Sequence, residues 1–228
     1  MPKVKRGGTK RSGGGSQGAA VNTLTIGDDT IEFDGKLEYG AKQSMTSDQR
    51  SAIDTWESKR FGNKIEFGIS IDSDGRPLQG EVRGGKHSVY SPHWWRDSYT
   101  AIFTHNHPRE KGGLGGTFSS QDLYNWINSN NPGKRATAKE GTYWISRTNS
   151  FNASGFKAYV NQTWQKNRGQ LKAYRKQLDQ DASSGKIGST EYNRKYDKSF
   201  NNFLIGLHND LTAGQKQYGY TYGLEKRK

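Results

Sequence analysis

Two histidines, a proline, a serine and an aspartate lie close together in the stretch THNHPREKGGLGGTFSSQD, residues 104–122. Imidazole and carboxylate groups bind transition metals, and the chain contains no cysteine, so His, Asp, Glu or water would hold any bound metal. On a β-strand, side chains alternate between the two faces. His105 and His107 therefore point to one side and Asn106 to the other, and two imidazoles on one face can bind one cation.

A carboxylate follows the two histidines at the start of a predicted helix. Pro108 removes a backbone donor and ends the strand. Residues 119–127, SSQDLYNWI, then open a helix in which Asp122 lies in the first turn and can face the strand end. His105, His107 and Asp122 would leave the fourth position of a zinc ion open to water, as a catalytic site requires. The alternative interpretation is a strand end followed by an ordinary capping box, because Ser119-x-x-Asp122 has that spacing as well.

The elements that must position these residues can be predicted from periodicity and turn signals. Strand patterns alternate with short helical patterns, which predicts a mixed α/β domain at residues 21–150 after a Gly/Ser-rich basic tail at residues 1–20. We predict a β-hairpin at 22–40, a helix at 46–62, a strand, turn and strand at 63–82, strands at 98–108 and 141–151, and a helix at 119–130.

The last third of the chain changes character. Apolar residues at helical spacing run from Phe156 to Leu178 and again from Tyr192 to Leu211, separated by the polar segment 181–190. This pattern predicts an antiparallel helical hairpin. The segment after it is rich in Gly and Tyr and is not expected to extend the helix. We therefore assign residues 151–228 to a basic helical hairpin and tail.

The net charge of +13 is concentrated at the two ends. Residues 1–20 carry five Lys/Arg and no acids, residues 151–228 carry fourteen Lys/Arg and six acids, and residues 21–150 carry sixteen of each. Basic ends suit contact with a polyanion such as nucleic acid. The alternative is that they are solvated ends that keep the protein soluble.

No apolar run approaches the length of a membrane span, and the N-terminus has charges without an apolar leader region. These features predict no membrane contact and a cytoplasmic protein, or a virion-associated one if a phage encodes it.

The combination of HNHP with SSQD resembles the signature of the JAMM (MPN+, Mov34 or JAB1-type) zinc metallohydrolases, including their bacterial and phage versions. The resemblance covers about residues 45–150. It implies a mixed sheet with flanking helices and one zinc ion per chain bound by His105, His107 and Asp122. It also implies that Ser119 stabilises the oxyanion. Ser120 has the wrong offset from the aspartate.

The same resemblance implies that a glutamate on an earlier strand is the general base that takes a proton from the zinc-bound water. Glu66, in IEFGISID, fits best because it lies on a predicted strand ahead of the motif, with Glu81 and Glu57 as alternatives. One departure concerns the spacing. Eleven residues separate His107 from Ser119, where the family usually has about seven; a surface loop can absorb such an insertion at low entropic cost.

The leading functional hypothesis is a zinc-dependent metallopeptidase or isopeptidase that acts on a protein or peptide. A non-catalytic assembly or binding protein of phage or toxin type, with a JAMM-like scaffold, is the main alternative. A metal-dependent nuclease is a third hypothesis, because of the letters H-N-H and the basic ends. The nuclease motif of that name is spread over tens of residues, whereas here the three letters form one tripeptide.

Overall fold

The computed structural model describes residues 21–90, 93–108 and 111–226, so the predicted basic tail at residues 1–20 lies outside the described residues. The described chain has a mixed α/β fold, as the sequence predicts. The strands are β1 (Val21–Ile26), β2 (Asp29–Asp34), β3 (Phe67–Ile71), β4 (Val82–Arg83), β5 (Ile102–Asn106), β6 (Gly133–Ala138), β7 (Gly141–Arg147) and β8 (Tyr220–Glu225). The helices are α1 (Ser47–Arg60), α2 (His93–Arg96), α3 (Ser120–Ile127), α4 (Ala153–Ser183) and α5 (Ser189–Tyr218).

Six strands form one sheet in the order β4-β3-β5-β6-β7-β8, and β1 and β2 form a separate β-hairpin. The neighbours β5 and β6 are parallel, and the other neighbouring pairs are antiparallel. A parallel pair needs a crossover connection. Helix α3 lies in that connection, so the fold itself places the start of α3 beside the end of β5.

The predicted β-hairpin, helix α1 and strands β3 and β5 are confirmed, but the second strand predicted within residues 63–82 is only the two-residue β4, and Glu66 lies just before β3 and not on a strand. The β-hairpin turns at Gly27, whose φ of 59° lies in the left-handed region that glycine adopts without strain. Helix α1 begins after Thr46, whose side chain accepts a hydrogen bond from the backbone N–H of Gln49. This is the capping role for which Ser and Thr are favoured.

The two faces of the sheet bury different kinds of side chain. One face packs against α3, α4 and α5 through an apolar core that includes Leu123, Tyr143, Ile145, Phe156 and Leu211. On the other face, residues of β3 and β5 pack with Ile53 of α1, and a polar network lies beside them. The metal-ligand candidates belong to the apolar face.

Strand β6 was missed from the sequence because its residues, GKRATA, include two charged side chains and no large apolar one. All six are nevertheless buried. The two basic side chains are paired inside the protein: Lys134 with Asp122 at 2.7 Å, and Arg135 with Glu57 at 2.7 Å and Glu225 at 3.1 Å. Burial of a charged side chain costs much less free energy when the charge is paired and hydrogen-bonded than when it is alone. Hydropathy does not report such pairing, so it could not identify this strand.

The C-terminal segment also differs from the sequence prediction. The helical hairpin is confirmed as α4 and α5, but Tyr220–Glu225 is a strand that pairs with β7, not a tail. Gly219 ends α5 with a φ of 69°, and a Cβ there would lie 2.2 Å from the carbonyl oxygen of Ser150. The reversal therefore requires glycine.

The helical hairpin and the sheet share one core, because Phe156, Val160 and Leu211 of the hairpin pack with Tyr143 and Ile145 of β7. The structure therefore does not divide at residue 150. None of the helices in the described ranges is both long enough and apolar enough to cross a membrane.

Candidate metal centre

The structure brings the side chains of His105, His107 and Asp122 together at the end of β5. The two Nε2 atoms are 2.9 Å apart, Nε2 of His105 lies 3.3 Å from Oδ1 of Asp122, and Nε2 of His107 lies 3.8 Å from Oδ2. His105 is the fourth residue of β5 and is buried, whereas His107 directly follows the strand. One donor atom from each of the three residues lies within 4.8 Å of the other two.

The distances and the donor types can be compared with those of a tetrahedral zinc site. Zinc binds His nitrogen and carboxylate oxygen at about 2.0–2.1 Å, which puts two ligand atoms of a tetrahedral site about 3.3 Å apart. The Nε2–Nε2 separation of 2.9 Å and the distance of 3.3 Å from His105 to Oδ1 of Asp122 are near that value, whereas His107 approaches the other carboxylate oxygen, Oδ2, at 3.8 Å. Two imidazoles and a carboxylate are also a donor set that zinc accepts. The residues present therefore fit the metal that the sequence predicts.

Asp122 is held in place by the first turn of α3 and by a lysine. Its Oδ2 atom accepts hydrogen bonds from the backbone N–H of Ser119 at 2.9 Å and from the Ser119 hydroxyl at 2.7 Å, and its own N–H donates to that hydroxyl. The pair is thus a complete capping box. The capping interpretation and the metal interpretation are compatible, because the cap fixes the carboxylate beside the two imidazoles.

Lys134 of β6 completes the support of Asp122. Its buried ammonium group lies 2.7 Å from Oδ1 and donates to the backbone oxygen of Asp122 at 3.1 Å. Burial alone would raise the pKa of the carboxyl group, but the nearby Lys134 and His105 hold it well below its usual range. Asp122 is therefore an anion at neutral pH, which is the form that binds a metal.

The two imidazoles differ in their surroundings. Burial lowers the pKa of His105 to about 4, so the ring is neutral at neutral pH and its lone pair is available. Its ring stacks on Phe103, and its Nδ1 atom has no hydrogen-bond partner among the described residues. The Nδ1 atom of His107 lies 3.1 Å from the backbone oxygen of Gly116. A hydrogen bond at that nitrogen leaves Nε2 to face the cluster, as in many metal sites.

The glycine-rich segment after Pro108 is tied to the rest of the fold. Its N–H groups at Gly115 and Gly116 donate to the Glu140 carboxylate, at 3.0 and 2.7 Å. The N–H of Leu114 donates to Asn201 of α5 at 3.0 Å. Gly116 packs so closely on α5 that a Cβ there would lie 2.6 Å from Leu204. The long segment between His107 and Ser119 therefore contacts both α5 and the His107 imidazole.

Glu66 lies just before β3 and lines the same cleft as His107, Ser119 and Asp122. Burial, with a smaller contribution from the Asp122 charge, raises the pKa of its carboxyl group from 4.5 to about 7, although His107 and Lys134 oppose the shift. A carboxyl group with a pKa near neutrality is suited to give and take protons.

Asn106 holds the backbone on both sides of Glu66. Its side-chain oxygen accepts from the N–H of Phe67 at 2.7 Å, and its amide donates to the oxygen of Ile65 at 3.0 Å. Asn106 lies between the two histidines in the sequence, and its side chain is on the opposite face of β5. It thereby links β5 to the segment that carries Glu66. Sequence reasoning assigned Asn106 no role, although its fixed position between the two histidines was a signal.

The alternative glutamates lie elsewhere. Glu81 accepts hydrogen bonds from Trp56 and Arg60. Glu57 lies under the other face of the sheet, where it binds Arg135, Thr104 and Thr142. Neither lines the cleft that contains His107 and Asp122.

We expect the raised pKa of Glu66 to make metal-free protein less stable as pH rises from about 4.5 to 7. The folded state holds the proton more tightly than the unfolded chain, so the stability present at low pH is lost as the carboxyl ionises. Glu66→Gln removes this loss. At pH 8 the variant should be more stable than the wild type by about 1–3 kcal/mol, because one pKa unit is worth about 1.4 kcal/mol and the carboxyl group keeps some solvent contact. The difference should vanish near pH 4.

Urea unfolding of chelator-treated protein across this pH range measures the difference. The matched control is Glu81→Gln, which loses the contact with Arg60 and should show no gain at pH 8. Equal stability of Glu66→Gln and the wild type at pH 8 would contradict the raised pKa.

Comparisons of the chain with protein-family models, with curated proteins and with solved structures found no match in any of the three.

Proposed function

We propose that the chain is a zinc-dependent amide hydrolase of the JAMM type, which cleaves a peptide or isopeptide bond. The observation that carries the proposal is the grouping of His105, His107 and Asp122 at the end of β5, with His107 and Asp122 lining the same cleft as Glu66, a carboxyl group whose pKa is raised to about 7. A metal-ligand triad and a proton-transferring carboxyl group in one cleft are what hydrolysis of an unactivated amide needs.

Zinc, when bound, polarises a carbonyl group and lowers the pKa of a coordinated water to about 7. The residues of the chain would supply the rest. His105, His107 and Asp122 would hold the ion. The Glu66 carboxylate would accept a proton from the attacking water and return it to the leaving nitrogen, and its near-neutral pKa makes both transfers feasible at neutral pH.

Ser119 is the proposed hydrogen-bond donor to the substrate carbonyl oxygen, which becomes negatively charged when water attacks. It is exposed at the cleft and caps α3. Its hydroxyl hydrogen bonds to Asp122 at 2.7 Å in the structure, so the hydroxyl would have to rotate toward the substrate oxygen. Donors aimed at a developing oxyanion are worth about 3–4 kcal/mol in transition-state stabilisation.

The test is hydrolysis of a mixed pool of peptide and ε-lysyl isopeptide substrates by zinc-loaded protein. We expect cleavage that stops when a chelator removes the metal, returns when zinc is restored, and is absent from His107→Ala. A zinc-loaded protein that cleaves no amide would contradict the proposal and favour the binding-protein alternative. Metal-dependent cleavage of DNA instead would favour a nuclease.

A further inference from the structure

The cleft at the candidate metal centre has a second wall that the metal site does not require. Its volume is about 480 Å³, and it extends from Glu66, His107, Ser119 and Asp122 to the helical hairpin. On that side it is lined by a group of mainly apolar residues from α4 and α5, which we call the helical wall: Trp164, Leu171, Phe200, Phe203, Leu204 and Leu207.

The helical wall is suited to a bulky apolar side chain. Leu171, Phe200 and Phe203 are only partly buried, and the rings of Phe200 and Phe203 are 5.6 Å apart. Behind them Leu204 and Leu207 belong to the protein core. An apolar group placed here would cover surface that now contacts water, at a gain of about 25 cal/mol per Å². Ligand pockets of this size typically combine such a surface with a few polar groups.

Arg168 is the polar group of the helical side of the cleft. It is exposed and forms no ion pair or hydrogen bond with the residues that the structure describes. The residues three and four positions away on α4 are Trp164, Gln165, Leu171 and Lys172, none of which is acidic. Nothing along its own helix neutralises this guanidinium group, which can bind a carboxylate in a bidentate way.

We infer that the cleft binds a peptide segment in which a bulky apolar side chain lies on the helical wall and a neighbouring Asp or Glu pairs with Arg168. This inference rests on the proposed function, because the segment would lie beside the amide that is cleaved. Continuity with the candidate metal centre and the charge of Arg168 support it. A nucleic acid fits less well, because its phosphates would approach the Asp122 carboxylate and its path would cross the apolar wall.

The test is binding of labelled peptides to full-length, zinc-loaded Glu66→Gln protein, in which cleavage should not interfere. Three peptide pools of equal length are compared by fluorescence anisotropy: one with Leu or Phe next to Asp or Glu, one with Lys in place of the acid, and one with Ser in place of the apolar residue. We expect the first pool to bind about three- to tenfold more tightly than either of the others.

A charge-reversal variant tests whether Arg168 itself causes the preference for an acidic peptide. Arg168→Glu should invert the preference, so that the lysine pool binds more tightly than the acidic pool. The matched control is Lys172→Glu, which makes the same charge change one turn further along α4 at a residue that does not line the cleft. This control should keep the original order. Zinc content should be equal in the Glu66→Gln protein and in the two proteins that carry Arg168→Glu or Lys172→Glu in addition.

Equal binding of the three pools, or an acidic preference that survives Arg168→Glu, would overturn the inference. A single-stranded oligonucleotide that displaces the acidic pool at lower concentration than the unlabelled peptide would overturn it too. These results leave the hydrolase proposal intact if the wild type still cleaves amides. Conversely, a preference that inverts with Arg168→Glu in a protein that cleaves nothing would support the binding site and contradict the hydrolase.

Discussion

Glu66→Gln should reduce zinc-dependent amide hydrolysis by about 10²–10⁴-fold while the protein keeps its metal. A positioned general base contributes a factor of this size, and glutamine has nearly the shape of glutamate but cannot accept the proton. Glu66 lines the cleft without belonging to the ligand group, so removal of its charge should leave the three ligands in place. Initial rates at saturating zinc, with metal content measured on the same samples, give the result.

Glu81→Gln is the matched control for this measurement. The substitution is chemically identical, but Glu81 contacts Arg60 and Trp56 and does not line the cleft. We expect a rate within about threefold of the wild type, in line with the small cost of losing a partly exposed ion pair. A large loss in Glu81→Gln together with a nearly normal rate in Glu66→Gln would reassign the base.

Arg135→Leu should lower the free energy of unfolding by about 3–5 kcal/mol, the usual cost of removing one partner from a buried ion pair. Arg135 is 1% exposed and contacts both Glu57 and Glu225, so its loss removes the cation paired with Glu57 and leaves Glu225 only its ion pair with Arg50. For a chain of this length the melting temperature should fall by roughly 6–20 °C. Differential scanning calorimetry of the metal-free protein measures the change.

The control for this prediction is Lys166→Leu, which removes the exposed ion pair with Asp210 and should cost no more than about 1 kcal/mol. If Arg135→Leu does not fold, Arg135→Lys keeps the charge but loses the planar fork, and should be destabilised by a smaller amount. Full stability of both Arg135 variants would show that the network under the sheet contributes little.

The polar network also explains why part of the fold escaped sequence analysis. The β-hairpin and α1 follow patterns that a sequence displays directly, since turn glycines and a Thr cap mark their ends. In β6 the informative property is the pairing of Lys134 and Arg135 with carboxylates from other elements. No local pattern carries that information, because the partners are distant in the sequence.

Part of the candidate site could likewise be predicted from the sequence, and part could not. The residue types of His105, His107 and Asp122 and their spacing were enough to predict that they meet, because a strand end and a helix start fix where they point. The support given by Lys134 and Asn201 depends on β6 and α5, whose positions beside the site could not be predicted from spacing. The helical hairpin was predicted as an element, but its position as a wall of the cleft follows only from the shared core.

The most direct test of the central claim is zinc content and affinity of protein purified without chelator, beside Asp122→Asn and His107→Ala variants. Asp122→Asn keeps the capping geometry of α3, and His87→Ala serves as the control because His87 is exposed and lines the cleft without belonging to the ligand group. We predict one zinc per chain in the wild type and in His87→Ala, and loss of that zinc in the two ligand variants. A wild-type protein that neither contains zinc nor takes it up on titration would contradict the metal centre and the hydrolase built on it.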